Sequence, residues 1–261
     1  KIDKKKRGEK MNITVLLKQV PDTTAKITIS NGKVDENSVS KWSMSPYDEY
    51  ALESGLQLKE ATGGNLVAIT CGPERTKKML TDAAAVGADT LVHISDDGVT
   101  DSTHVQQLLA AAVKKYDSHV VLCGKQAADT NAGSTGPGVA ELIDAACITL
   151  VSEVNHSEGN FLTIRPSNSG TEKVMVSGLS VFAFDKGTSE LRRPNVRGIM
   201  MAKKKPIEAI SSSDLGVNLS SSNVKLNSQN PPPEKPAGQK FEGAEHINEV
   251  VSKLRNEANV I

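Results

Sequence analysis

Short apolar runs alternate with segments of helical spacing along the first half of the chain. Residues 12–20, NITVLLKQV, form an apolar run that stops at Pro21, as a buried strand would. In KITISNGKV, residues 26–34, two alternating stretches flank Asn31-Gly32, a pair suited to a tight hairpin turn. Ser45-Pro46 opens a segment in which Tyr50, Leu52, Leu56 and Leu58 recur at roughly helical spacing. Pro46 suits the first helical position, Asp48 and Glu49 suit the positive end of the dipole, and Gly63-Gly64 stops the helix.

The alternation continues with a strand over 65–71, a helix over 74–86, a strand over 90–94, a helix over 102–115 and a strand over 119–123. Short connections between alternating types predict an α/β fold, a mostly parallel sheet flanked by helices and wound by right-handed crossovers. From 148 to 184 the pattern turns to β segments, a β-rich addition with turns at 158–160 and 167–170. Residues 185–205 are polar and rich in Arg and Lys, and read as a loop. The stretch 211–240 is rich in Ser, Asn and Pro and cannot build a core. It leads to an amphipathic helix over 244–256, where Ile247, Val250, Val251 and Leu254 share a face. The expected organisation is a disordered basic extension at 1–10, an α/β domain at 11–210, and an extended arm with a terminal helix at 211–261. Such an arm makes most sense if a partner chain receives it.

Composition narrows the functional classes. Basic and acidic residues balance at 31 each, so no overall field attracts a phosphate polymer. Aromatics are 3% of the chain, too few for a base-stacking surface, so nucleic acid is not expected as a partner. No run approaches the ~20 apolar residues of a membrane span, and no direct membrane insertion is expected. Cys71, Cys123 and Cys147 are odd in number and lack C-x-x-C spacing, which suggests reduced thiols in a cytoplasmic or otherwise reducing compartment. The five histidines show no metal or triad spacing, so no metal site and no catalytic residue is assigned.

The most informative segment is residues 120–142, VVLCGKQAADTNAGSTGPGVAEL. A buried strand ends at Gly124, a loop of small residues follows, and a helix begins near Ser134-Thr135. Gly124, Gly133, Gly136 and Gly138 would let backbone approach a ligand closely. Ser134 and Thr135 offer hydroxyls and free N–H groups where a phosphate is favoured. The site would lie at the carboxyl ends of the strands. The loop is neither a Walker P-loop nor G-x-G-x-x-G, and a plain strand-to-helix connection remains open on this pattern alone.

Seven blocks in order carry a resemblance: KQVPD at 18–22, SPYDEYALE at 45–53, CGP at 71–73, GADTLVHI at 87–94, GKQAADTNAGSTG at 124–136, MAKKKPIE at 201–208 and DLGV at 214–217. Together they resemble the beta subunit of electron-transfer flavoproteins, from about Met11 to the C-terminus. The resemblance implies a Rossmann-like fold of the adenine-nucleotide-binding kind. It implies a heterodimer with an alpha subunit that carries or shares the redox FAD, and an AMP bound in this chain. Flavin dehydrogenases, such as acyl-CoA dehydrogenases, would be its docking partners. The redox chemistry would belong to the flavin, so the chain would be a carrier subunit and not an enzyme. The implied nucleotide positions are Leu16, Ser45, Pro46, Tyr47, Asp48, Cys71, Gly124, Gln126, Ala127, Asp129, Thr130, Asn131, Gly133, Ser134 and Thr135. Thr23 would lie near the partner's flavin. Val196, flanked by Arg193 and Arg197, matches the docking position, where relatives often carry Leu.

Departures from the family pattern shape the alternatives. Bifurcating relatives, which hold a second FAD here, usually have an Asp-Gly-Asp-Thr type loop. This chain has Asp129-Thr130-Asn131-Ala132-Gly133-Ser134-Thr135, which favours AMP, although KQVPDT at 18–23 is common in that branch. The usual Arg-Glu-x-x-Gly-Gly turn reads Arg165-Pro166-Ser167-Asn168-Ser169-Gly170, without its acidic residue. An ATP-binding, stress-type sensor domain is the other alternative, and the long arm speaks against it.

Overall fold

The structure, a computed structural model, describes residues 10–219, 224, 226–235 and 237–261. The extension expected over 1–10 therefore lies, Lys10 apart, outside the described residues, as do parts of the 211–240 stretch. In chain order the strands and α-helices are β1 (Asn12–Leu16), β2 (Gln19–Pro21), β3 (Ile29–Ser30), β4 (Lys33–Val34), β5 (Trp42–Met44), α1 (Pro46–Thr62), β6 (Asn65–Cys71), α2 (Lys77–Val86), β7 (Thr90–Ile94), α3 (Ser102–Lys115), β8 (Val120–Gly124) and α4 (Thr135–Leu142). There follow β9 (Ala146–Val151), β10 (Glu153–Ser157), β11 (Asn160–Ser167), β12 (Gly170–Ser177), β13 (Ser180–Phe184), α5 (Val196–Ala202), β14 (Glu208–Ile210) and α6 (Ile247–Asn256).

Seven strands form one sheet in the order β14-β7-β6-β1-β8-β13-β9, and every pairing within it is parallel. Strand alternation sends side chains to two faces. Ile13 and Val15 of β1, with Leu66 and Ala68 of β6, pack under α1 and α2. Leu16, Val67 and Ile69 face the other way, into the layer of α3 and α4. Burial on both faces is why the strands read as continuous apolar runs. The β-rich addition is a three-stranded antiparallel sheet, β10-β11-β12, whose Val154 and Phe161 extend the core on the α1 side.

One element departs from the reading of 185–205 as a polar loop. Residues 196–202 are helical, because Asn195 caps the first turn by accepting from the Gly198 N–H at 2.7 Å. A β-carbon at Gly198 would overlap the carbonyl oxygen of Ala85, so the glycine lets α5 lie directly on the end of α2. Residues 208–210 add β14 as an edge strand beside β7. Leu215, Val217 and Leu219 pack against the core of the same unit.

Ile29–Val34 and Asn227–Ile261 make up a second compact unit. Its hairpin turns at Asn31 and Gly32, with φ of 51° and 71°, as the Asn-Gly pair predicts. Gln229 completes the hairpin: its N–H donates to Gly32 O at 2.7 Å, and its side-chain oxygen accepts from Val34 N at 2.8 Å. In α6, Ile247, Val251 and Leu254 are exposed.

Gly55 shows how tightly α1 sits on the sheet: a β-carbon there would lie 2.8 Å from Val15 Cγ2 and 3.0 Å from Leu66 Cδ1. Helix propensity alone would make Gly55→Ala stabilising by about 1 kcal/mol. Overpacking of a filled core costs about 1–3 kcal/mol, so a net loss on the order of 1 kcal/mol is expected in urea unfolding. A net gain would show that the α1 contact yields easily.

Candidate functional site

The sheet reverses its winding at β1. The crossover through α1 leads to β6 on one side, and the chain later returns to β8 on the other. Beyond such a point the two neighbouring loops run in opposite directions and a crevice opens at the carboxyl edge. Here the crevice is held by a buried carboxylate. Asp48, on the first turn of α1, accepts from the Lys18 N–H at 2.7 Å and from the Gly124 N–H at 2.8 Å, tying the chain after β1 to the end of β8. Burial raises the Asp48 pKa, opposed by those two hydrogen bonds and the Lys18 charge and aided by Asp129, to about 7.

A cavity of about 430 Å³ lies at this edge. Of the nucleotide positions implied by the sequence, Leu16, Asp48, Cys71, Gly124, Gln126, Ala127, Thr130, Gly133, Ser134 and Thr135 line it. Ser45, Pro46, Tyr47, Asp129 and Asn131 are not in its lining but brace it. Ser45 precedes α1 and is fully buried. Pro46 starts that helix, and the Tyr47 ring lies 4.8 Å from Lys125 Nζ. Asp129 pairs with Lys18 at 2.8 Å. Asn131, at a φ of 51°, accepts from Gln126 Nε2 at 2.9 Å and gives the loop its bend.

The glycines of this segment divide by role. A β-carbon on Gly124 would meet Asp48 Oδ1 at 2.6 Å, and one on Gly136 would meet Cys123 Sγ at 2.9 Å. One on Gly138 would overlap Gln106. These three serve packing inside the protein rather than approach to a ligand. Gly133 is different: its φ is +66°, and it lines the cavity just before α4.

Residues missed by sequence reasoning complete the wall. Leu17 and Lys18 follow β1, residues 99–102 lead into α3, and Val105 and Leu109 project from that helix. The available signal was topological: every loop after a parallel strand emerges at this one edge. Asp101 caps the start of α3, accepting from His104 N at 3.0 Å. Leu16, Val99, Val105 and Leu109 make an apolar side, while Gly133, Ser134 and Thr135 make a polar one. Lys125 is engaged by Asp185 at 2.9 Å, as Lys18 is by Asp129.

No nucleophile emerges from the lining. Burial, with Asp96 adding to it, pushes the Cys71 thiol up to about 12, so it stays protonated and inert. Burial likewise raises Cys123. His93 is buried, with Nε2 at 2.8 Å from Gly72 O. Among the described residues no group of three His, Cys, Asp or Glu is placed to hold a metal.

Thr23 stands apart from the cavity, exposed in a turn after β2. That turn is pinned by Asp22, which accepts from Thr24 N at 3.0 Å and pairs with Lys41 at 2.7 Å. Val196, 76% exposed, is the first residue of α5, with Arg193 and Arg197 exposed beside it.

The fold is thus a doubly wound α/β sheet with a crevice at its switch point. Residues 33–215 match the electron transfer flavoprotein domain. The chain is 36% identical over 258 residues to the electron transfer flavoprotein subunit beta of Bacillus subtilis, covering 96% of this chain and 100% of that one. It is 32% identical over 250 residues to the subunit of that name from Mus musculus, covering 92% and 95%. The chain belongs to the electron transfer flavoprotein beta-subunit family, and is an electron carrier component. Among the described residues no helix is long and apolar enough to cross a membrane.

The Asp48 clamp is testable by Asp48→Asn, which keeps one acceptor and turns an amide N–H₂ toward the other backbone donor. The loss should be about 1–3 kcal/mol, the cost of leaving a buried polar group unpaired. Its pH dependence has a definite sign. The folded-state pKa of about 7 lies above the ordinary 3.8, so the folded state holds the proton more tightly. Stability from this group is full below the ordinary value and falls as pH rises through the folded one. Unfolding at about pH 5 and about pH 8 should therefore show the gap between native and variant shrinking as pH rises. A gap that stays the same at the two pH values would mean that Asp48 is ionised throughout.

Proposed function

We propose that the crevice holds AMP as a structural ligand, and that the chain pairs with an alpha subunit to complete the site of a redox FAD. The observation that carries the AMP reading is the cavity itself, with Gly133, Ser134 and Thr135 at the start of α4. First-turn N–H groups and two hydroxyls favour a phosphate there. Lys18 and Lys125 are already neutralised by Asp129 and Asp185, so the anion would rest on backbone N–H groups rather than on a free cation. The apolar side formed by Leu16, Val99, Val105 and Leu109 suits a purine face. A cavity of about 430 Å³ suits a mononucleotide better than a flavin dinucleotide, which favours AMP over a second FAD. The second unit, with its exposed helix face, favours a subunit over an isolated sensor domain. Three free thiols suit a reducing compartment such as the cytoplasm.

In this reading the flavin, bound with the alpha subunit, supplies all redox chemistry. This chain contributes Thr23 near that flavin, and the exposed start of α5, Val196 between Arg193 and Arg197, as a docking point for flavin dehydrogenases such as acyl-CoA dehydrogenases. A central apolar anchor ringed by charge is a common interface plan.

Acid extraction of the purified chain should release about one equivalent of AMP, since one phosphate position is inferred. FAD recovered from this chain without its partner would instead favour the bifurcating alternative. For the partner, removal of residues 227–261 should weaken binding to the alpha subunit while the first unit stays folded. The cut is placed there because Leu215, Val217 and Leu219 belong to the core. Unchanged affinity in a pull-down titration would exclude the arm from the interface.

A further inference from the structure

Residues 189–194 border a hollow of about 780 Å³, which Trp42, Met44 and Tyr50 line from the other side. Across this hollow, one side chain is gripped by α1. Arg192 donates from Nε to Glu53 Oε2 at 2.8 Å and from Nη2 to Glu53 Oε1 at 2.9 Å, a bidentate pair. Its Nη1 donates to Glu60 Oε1 at 2.6 Å, and its backbone N–H donates to Glu53 Oε2 at 3.2 Å. The Glu53 side chain is only 6% exposed. Gln57 donates to Glu53 at 3.0 Å and accepts from Ser189 at 3.3 Å, which extends the grip along the segment.

A buried carboxylate is costly unless paired and hydrogen-bonded. Here the pairing fixes the segment beside the hollow. Four residues further on, α5 begins with its exposed apolar surface: Val196, Met200 and Met201 are 76%, 61% and 61% exposed. Gly198 on Ala85 supports the body of that helix from below. Arg193 and Asn195, which precede and cap its first turn, follow directly on the side chain that α1 grips.

We propose that Arg192, gripped by Glu53 and Glu60, is a positioning residue for electron-donor docking: its pairing with α1 sets where the first turn of α5 stands. This rests on the reading of α5 as the docking point. A first turn released from its tether is docking-competent for only a fraction of the time, and the affinity falls by that fraction.

The experiment uses the full heterodimer with a flavin dehydrogenase as donor, measuring kcat and KM for the carrier. Arg192→Ala should raise KM about ten-fold at unchanged kcat, with flavin absorption and nucleotide content as in the native pair. The double variant Arg192→Ala/Glu53→Gln removes the stranded buried charge, so it should recover thermal stability but not KM. Recovery of both together, or a lowered Tm with native KM in Arg192→Ala, would overturn the positioning role. Should Arg192→Ala fail to fold, Arg192→Lys keeps the charge beside Glu53 but cannot bridge two carboxylates as a planar fork does. It should raise KM about three-fold, and native KM in the folded Lys variant would overturn the proposal. Val196→Ala separates the two levels. If it raises KM while the Arg192 variants do not, the tether alone is wrong. If none of them changes KM, the docking reading itself falls.

Discussion

A single carboxylate holds the architecture of the site together. Parallel strands on either side of a winding reversal send their loops apart, and nothing in the sheet ladder joins them past the last paired residues. Asp48 supplies that join with two short hydrogen bonds, one to the chain after β1 and one to the end of β8. Because it is buried, the carboxylate is forced to satisfy both backbone donors or leave them stranded, and the low-dielectric surroundings strengthen each bond. Gly124 follows from this, since any side chain there would displace the carboxylate. So does the loop from 125 to 134, which begins at a fixed point and ends at the fixed start of α4.

Much of this was legible in the chain. The strands at 65–71 and 90–94 and the helix at 102–115 coincide with β6, β7 and α3 because both-face burial and helical spacing leave little ambiguity. The Asn31-Gly32 hairpin was legible from backbone sterics alone. The cavity was located in part: the loop after β8 announced itself by composition, and Leu16, Asp48 and Cys71 line the same space.

What escaped reading did so for physical reasons. Residues 196–202 carry Arg, Gly and four exposed apolar side chains without a buried stripe, so amphipathic periodicity had nothing to report; the helix owes its existence to the Asn195 cap and a backbone contact at Gly198. β14 is three residues long and is defined by its neighbour β7. Residues 99–102 enter the cavity wall because of topology, which no local pattern encodes. Glycine content also misled in detail: three of the four glycines around 124–138 make room for this protein's own atoms.

The second unit has a bearing on how the molecule is made. Its hairpin lies at residues 29–34, and the residue that completes it, Gln229, lies 195 positions beyond Val34. During synthesis the hairpin leaves the ribosome long before its complement exists. A two-stranded hairpin of this size is marginal by itself. The α/β unit, whose crossovers are short, can close as the chain emerges, whereas the second unit closes only after residues 227–261 have been made. Closure of this unit is thus a late ordering step, and any surface it forms is withheld from chains that have not yet been extended through residues 227–261.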